Sequence, residues 1–74
     1  DEVVYAFSIP HNTVGVFTGE TGTGDYSLKI NRVLVLRNGI MENRAEGIRD
    51  IQLGDDEVII QLGSGKYDLI ITKY

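Results

Sequence analysis

The amino-acid sequence predicts an all-β fold, an antiparallel sandwich or barrel of about six to eight short strands. Three observations carry this expectation. Apolar side chains alternate at period two through most of the 74 residues. Gly, Asn, Asp and Pro turn signals recur roughly every eight to twelve residues. No segment has an apolar pattern long enough for a stable helix.

The first strand is expected over Glu2–Ile9, EVVYAFSI, where Val3, Tyr5, Phe7 and Ile9 share one face. Pro10 ends it, because proline has no N–H to give to a ladder. His11 and Asn12 continue the corner. Residues 13–17, TVGVF, read as a second strand with Val14 and Val16 on one face. Gly15 between them suggests a bulge or a close backbone approach. Residues 18–25, TGETGTGD, hold no apolar side chain and read as a hairpin loop. Alternation resumes over residues 26–31 through Tyr26, Leu28 and Ile30. The run VLVL at 33–36 suits a buried strand, and Asn38-Gly39 is a strong two-residue hairpin signal leading into Ile40 and Met41.

Residues 42–50, ENRAEGIRD, are polar, and Gly47 argues against a stable helical turn there. Ile51 and Leu53 look like a strand end, followed by a turn at Gly54-Asp55-Asp56. The last twenty residues, 55–74, read as two strands joined by Gly63-Ser64-Gly65. Val58, Ile60 and Leu62 line one face of the first; Tyr67, Leu69 and Ile71 line one face of the second. A final hairpin is the expectation, with the glycines supplying the reversal.

Composition bounds the function. The chain makes one domain, with no cysteine to staple it. A domain this small buries only about 60% of its unfolded surface, so it must pack tightly or lean on a neighbour. Seven Lys and Arg stand against eleven Asp and Glu, a formal charge of −4. A nucleic-acid binder would carry a basic patch, and none is visible. No apolar run approaches the roughly 20 residues of a membrane helix. The absence of cysteine is compatible with a reducing or an oxidising compartment. The chain starts at Asp1, not Met, and is read as a piece of something longer or as trimmed at a disordered start.

No constellation of residues carries chemistry. GETGTG at 19–24 resembles the opening of a phosphate-binding loop, G-x-x-x-x-G-K-[ST]. Here Asp25 occupies the Lys position and Tyr26 the Ser/Thr position, and an anion there would repel phosphate. The carboxylates Asp55-Asp56-Glu57, and Glu42, Glu46 and Asp50, are not fixed as an acid–base pair. Glu20 and Asp25 do not make a calcium-loop pattern. His11 is the only histidine, so no zinc set exists in the sequence. Ser8, Ser27 and Ser64 lack an evident base. Catalytic, cofactor and metal residues are therefore expected to be none. Tyr5, Phe7 and Tyr67 fall at inward periodicity and are expected in the core. Tyr26 and Tyr74 are the candidate residues if a sugar-binding surface exists.

Two local patterns carry a resemblance. One is Ser8-Ile9-Pro10-His11-Asn12-Thr13-Val14-Gly15-Val16; the other is Gly63-Ser64-Gly65-Lys66-Tyr67. Between them lie Asn38-Gly39 and Ala45-Glu46-Gly47-Ile48. This order resembles the small C-terminal β-sandwich domain of family 78 glycoside hydrolases, the bacterial α-L-rhamnosidases. That family has an I-P-x-N-T-x-A-x-V stretch, an E-x-A-x-G-[VI]-like segment and a closing G-S-G-x-Y-x-F. Leu69 stands where the family usually has Phe, and Gly15 where a small residue, often Ala, is usual.

The resemblance implies a small antiparallel β-sandwich and a non-catalytic accessory role. The acidic residues that hydrolyse α-L-rhamnosides in that family lie on an (α/α)6 barrel, which would precede Asp1. The implied partner is that barrel within the same parent chain. No catalytic residue carries over to this sequence. The alternatives are a carbohydrate-binding module, or an unrelated small β domain used for protein contacts. Nucleic-acid and membrane partners are not expected, and bacterial cytoplasmic and secreted locations both stay open.

Overall fold

The computed structural model describes residues 2–22 and 24–74. The reading of Asp1 as a start, and the Thr23 portion of the 18–25 loop, lie outside the described residues. The chain forms β1 (Glu2–Ile9), β2 (Gly15–Glu20), β3 (Tyr26–Ile30), β4 (Val33–Arg37), β5 (Ile40–Met41), β6 (Ile48–Leu53), β7 (Glu57–Leu62) and β8 (Gly65–Lys73). There is no helix among the described residues. Every pairing is antiparallel. One sheet has five strands in the order β1-β8-β3-β4-β5, the other three in the order β2-β7-β6. The two sheets pack face to face as a small β-sandwich, 36 × 19 × 19 Å in extent.

Alternation decides the interior, as the sequence predicts. Leu28, Ile30, Leu36, Val58, Ile60, Leu62 and Leu69 are fully buried, and Tyr67 and Ile71 nearly so. Tyr5 and Phe7 are half-buried against this core on strand β1. Phe17 on β2 meets both of them. Its ring lies 4.9 Å from Tyr5, edge to face, and 5.7 Å from Phe7, stacked. These rings bridge the two sheets on one flank of the sandwich.

The last twenty residues correct the hairpin expectation. β7 pairs with β2 and β6, whereas β8 pairs with β1 and β3. Gly63 and Ser64 therefore carry the chain from one sheet to the other. Both strands have the predicted inward faces, but those faces oppose each other across the core instead of lying side by side. Period two says which side chains turn inward; it is silent on the neighbouring strand. A two-residue hairpin of the preferred twist needs positive φ at its first central residue. Of this segment only Gly65 has it, at φ 147°.

Smaller differences have local causes. β2 runs to Glu20, so Thr18–Glu20 is strand, not loop. β2 and β3 lie in different sheets, so they do not form a hairpin with each other. Gly15 makes no bulge, since its register with Leu62 is regular. It is the close approach instead: a Cβ there would sit 2.5 Å from Ile9 Cδ1. A bulge occurs at Val35, where Leu34 opposes Lys29 and Leu36 opposes Leu28. That extra residue lets Val35 and Leu36 both turn inward, fully buried.

Two tight turns build the β3-β4-β5 meander. Asn38 and Gly39, at φ 51° and 79°, join Arg37 to Ile40 as the sequence predicts. Asn38 also reaches back, accepting a hydrogen bond from Tyr26 N at 3.1 Å. Asn31 and Arg32, at φ 49° and 70°, join Ile30 to Val33 in the same geometry without a glycine. The left-handed region costs a non-glycine residue about 1–2 kcal/mol, and asparagine tolerates it best. Arg32→Gly is therefore expected to raise stability by about 0.5–1 kcal/mol after glycine's greater unfolded-state freedom is subtracted. A urea midpoint that does not rise in this variant would show the turn to be unstrained.

Candidate functional site

Three separated segments meet at one end of the sandwich: the crossing from β5 to β6, the β3–β4 turn and the β7–β8 corner. They enclose an open cleft of about 500 Å³ lined by Asn31, Glu46, Arg49, Ser64, Lys66 and Tyr67, among others. Its frame is built on Tyr67. The phenol is buried and donates to Gly63 O at 2.7 Å, four residues upstream. Gly63 N in turn donates to Gly47 O at 2.9 Å. Gly47, at φ 95°, comes so near Tyr67 that a Cβ would collide with the hydroxyl and with ring carbons. A tyrosine that hydrogen-bonds back to the backbone at a sheet-to-sheet corner is a known way to hold such corners in sandwiches.

Asn31 ties the β3–β4 turn to the same frame. Its side chain accepts from Asp68 N at 2.8 Å and donates to Lys66 O at 3.3 Å. Its own N–H donates to Asp68 O at 2.8 Å. Asn31 thus continues the ladder beyond the end of β3. The sequence reading placed it in a strand; the missed signal is the asparagine closing an alternating run two residues before the next.

The cleft rim carries the cations Arg49 and Lys66 and the carboxylate of Glu46, all on exposed residues. Arg49 is the extra residue of a bulge in β6, where Ile48 opposes Leu62 and Asp50 opposes Gln61. The Arg49 side chain runs beside Gly63, where an added Cβ would stand 3.4 Å from its Nε. Ser64 is exposed on the corner and has no hydrogen-bonded base among the described residues. The groups of this cleft can hold a corner and offer polar contacts; they do not form a nucleophile with its base.

The other residues weighed from the sequence are scattered. Tyr26 is 9% exposed and Tyr74 is 79% exposed. Tyr26 belongs to the core, and burial raises its phenol pKa above the usual tyrosine value. The two rings therefore do not form a common exposed surface. Tyr74 is exposed, with its hydroxyl hydrogen-bonded to Ser27 Oγ at 3.2 Å and its N–H donating to Asp25 O at 3.1 Å. Ser27 is itself buried. His11 is exposed on the β1–β2 corner, with its carbonyl accepting from Thr13 Oγ1.

Two amides of the glycine-rich stretch are committed to the backbone. Thr21 N and Gly22 N both donate to Asp56 O, at 2.8 and 3.2 Å. Those amides tie this stretch to the β6–β7 turn. Glu20 and Glu57 stand directly opposite each other on β2 and β7, a like-charge pair. No group of three His, Asp or Glu among the described residues could hold a metal ion.

Compared with known proteins, the chain matches no family model, no curated protein and no solved structure.

Proposed function

We propose that the chain is a non-catalytic accessory domain of an α-L-rhamnosidase-like glycoside hydrolase, packing on and stabilising a catalytic (α/α)6 barrel. One observation carries the reading. The segments that bear the resemblance, Ala45-Glu46-Gly47-Ile48 and Gly63-Ser64-Gly65-Lys66-Tyr67, interlock through Tyr67, Gly63 and Gly47. Their residue types are those this corner needs. They serve architecture and leave no acid–base pair.

The surface offers a place for the barrel. The outer face of the five-stranded sheet carries the charges of Glu2, Lys29, Arg37, Lys66 and Asp68 among Val4, Ala6, Leu34 and Ile70. The outer face of the three-stranded sheet carries Val16, Thr18, Gln52, Ile59 and Gln61, bordered by the carboxylates of Asp50, Glu20 and Glu57. Val16 there is 64% exposed, and Val14, just before β2, is 49% exposed. Exposed apolar side chains on a sheet face suit domain contacts.

The test uses the parent reading frame. A hydrolase barrel should be encoded ahead of this domain, and deleting the domain should lower the parent's thermal midpoint. The isolated chain should not turn over an aryl α-L-rhamnoside. A frame with no hydrolase domain, or turnover by the chain that is lost in a Glu46→Gln variant, overturns the proposal.

A further inference from the structure

The two sheets have four edges, and three of them are guarded. β5 is only two residues long. β6 is broken by its bulge at Arg49, next to Asp50. β2 carries glycine at 15 and 19 and ends on Glu20. Short length, bulges, charges and interrupted side-chain rows are the devices that keep sheet edges from pairing. β1 has none of them within its length. It is eight residues long and keeps a regular register with β8 from Glu2 to Ile9. It contains no proline, lysine or arginine, and its one charge, Glu2, is at its start.

The flank beside this edge is also incompletely covered. Val3 and Val4 are 41% and 58% exposed. Tyr5, Phe7, Ile9 and Phe17 are only half-buried although they face the interior. A strand added to β1 would extend the ladder and lay its inward row against these side chains.

We propose that the occupant of this edge is β1 of a second copy, antiparallel across a two-fold axis at Tyr5. The segment is complementary to itself in that register. Val3 then faces Phe7, Val4 faces Ala6, and Glu2 faces Ser8 of the other copy. Opposed residues in an antiparallel pair share a face, so inward residues meet inward ones. The single charge of the strand meets a hydroxyl and not its own copy, so the pair opposes no like charges. The paired stretch, 2–8, also stops short of Pro10. The contact is isologous and closes at two copies. It joins the five-stranded sheets of both copies into one continuous sheet.

Sedimentation equilibrium of the purified chain tests this from about 10 μM to about 1 mM. The expected result is a mass that rises to twice that of the 8.2 kDa chain. Val4→Lys and Ala6→Lys place a charge on exposed, outward positions of the edge, away from the core. Each is expected to weaken association by at least about tenfold. The chain has no cysteine, so a mixture of Val4→Cys and Ala6→Cys variants reports the register. Directly opposed strand residues lie within disulfide reach, and the mixed cross-link should dominate over both self-cross-links. A single-chain mass at every concentration overturns the proposal. So does association that both lysine variants leave unchanged, or self-cross-links that dominate.

Discussion

Gly47→Ala is expected to be among the most damaging single substitutions in this chain. Two costs add at one atom. The backbone at φ 95° is a conformation that side-chain-bearing residues rarely adopt. Such strain costs about 1–3 kcal/mol. The new methyl group would also drive into the Tyr67 phenol, which is pinned by its hydrogen bond to Gly63 O. Overpacking of this kind costs about 1–3 kcal/mol more. Together the loss is roughly 2–6 kcal/mol. The whole stability of a domain this size is only about 4–11 kcal/mol.

Gly39→Ala separates the two costs. Gly39 also has positive φ, 79°, but an added Cβ there meets nothing within 4 Å. Its loss should be the backbone share alone, about 1–2 kcal/mol. Urea denaturation of both variants measures the difference. If Gly47→Ala costs no more than Gly39→Ala, the close packing on Tyr67 contributes nothing, and the corner is held by other means.

The second large effect is expected at Leu69. It is fully buried on β8, between Tyr5 on β1 and Ile30 on β3. Leu69→Ala removes buried methyl groups and leaves a cavity that neighbouring strands cannot collapse without losing register. The expected cost is about 2–5 kcal/mol. A small domain loses roughly 4–8 °C of thermal midpoint for each kcal/mol. The variant should therefore be largely unfolded well below the parent's melting temperature. A far-UV melt within a few degrees of the parent would mean that the site is not packed as described.

Enlarging the same side chain tests the family resemblance. Leu69→Phe supplies the residue usual at this position in the rhamnosidase-associated domains. Leu69 is fully buried, and enlarging a buried side chain is expected to cost about 1–3 kcal/mol. Equal or greater stability for the phenylalanine variant would instead show room beneath β8.

Much of this fold is legible in the residues. The alternation in EVVYAFSI, YSLKI, EVIIQL and GKYDLIITK marks strands and their inward faces, because a pleated chain turns alternate side chains to opposite sides. Asn38-Gly39 specifies its turn for an equally local reason, since its two residues tolerate positive φ. The candidate site was less legible. Gly47, Gly63 and Tyr67 are separated by up to twenty positions, and no local rule links them. Tyr26 looked uncommitted in sequence, yet an inward position on a central strand buries it.

The sequence by itself determined that this is a small all-β domain, roughly where most of its strands lie and which faces of the clearest strands turn inward. Local sterics and the hydrophobic effect suffice for that, because both act within a few residues. Only the tertiary structure decided which strands are neighbours. It turned the expected final hairpin into a crossing between sheets, made Tyr67 the brace of that crossing, and left β1 on an open edge. Those outcomes depend on how two apolar faces cover each other, and that is a property of the whole chain.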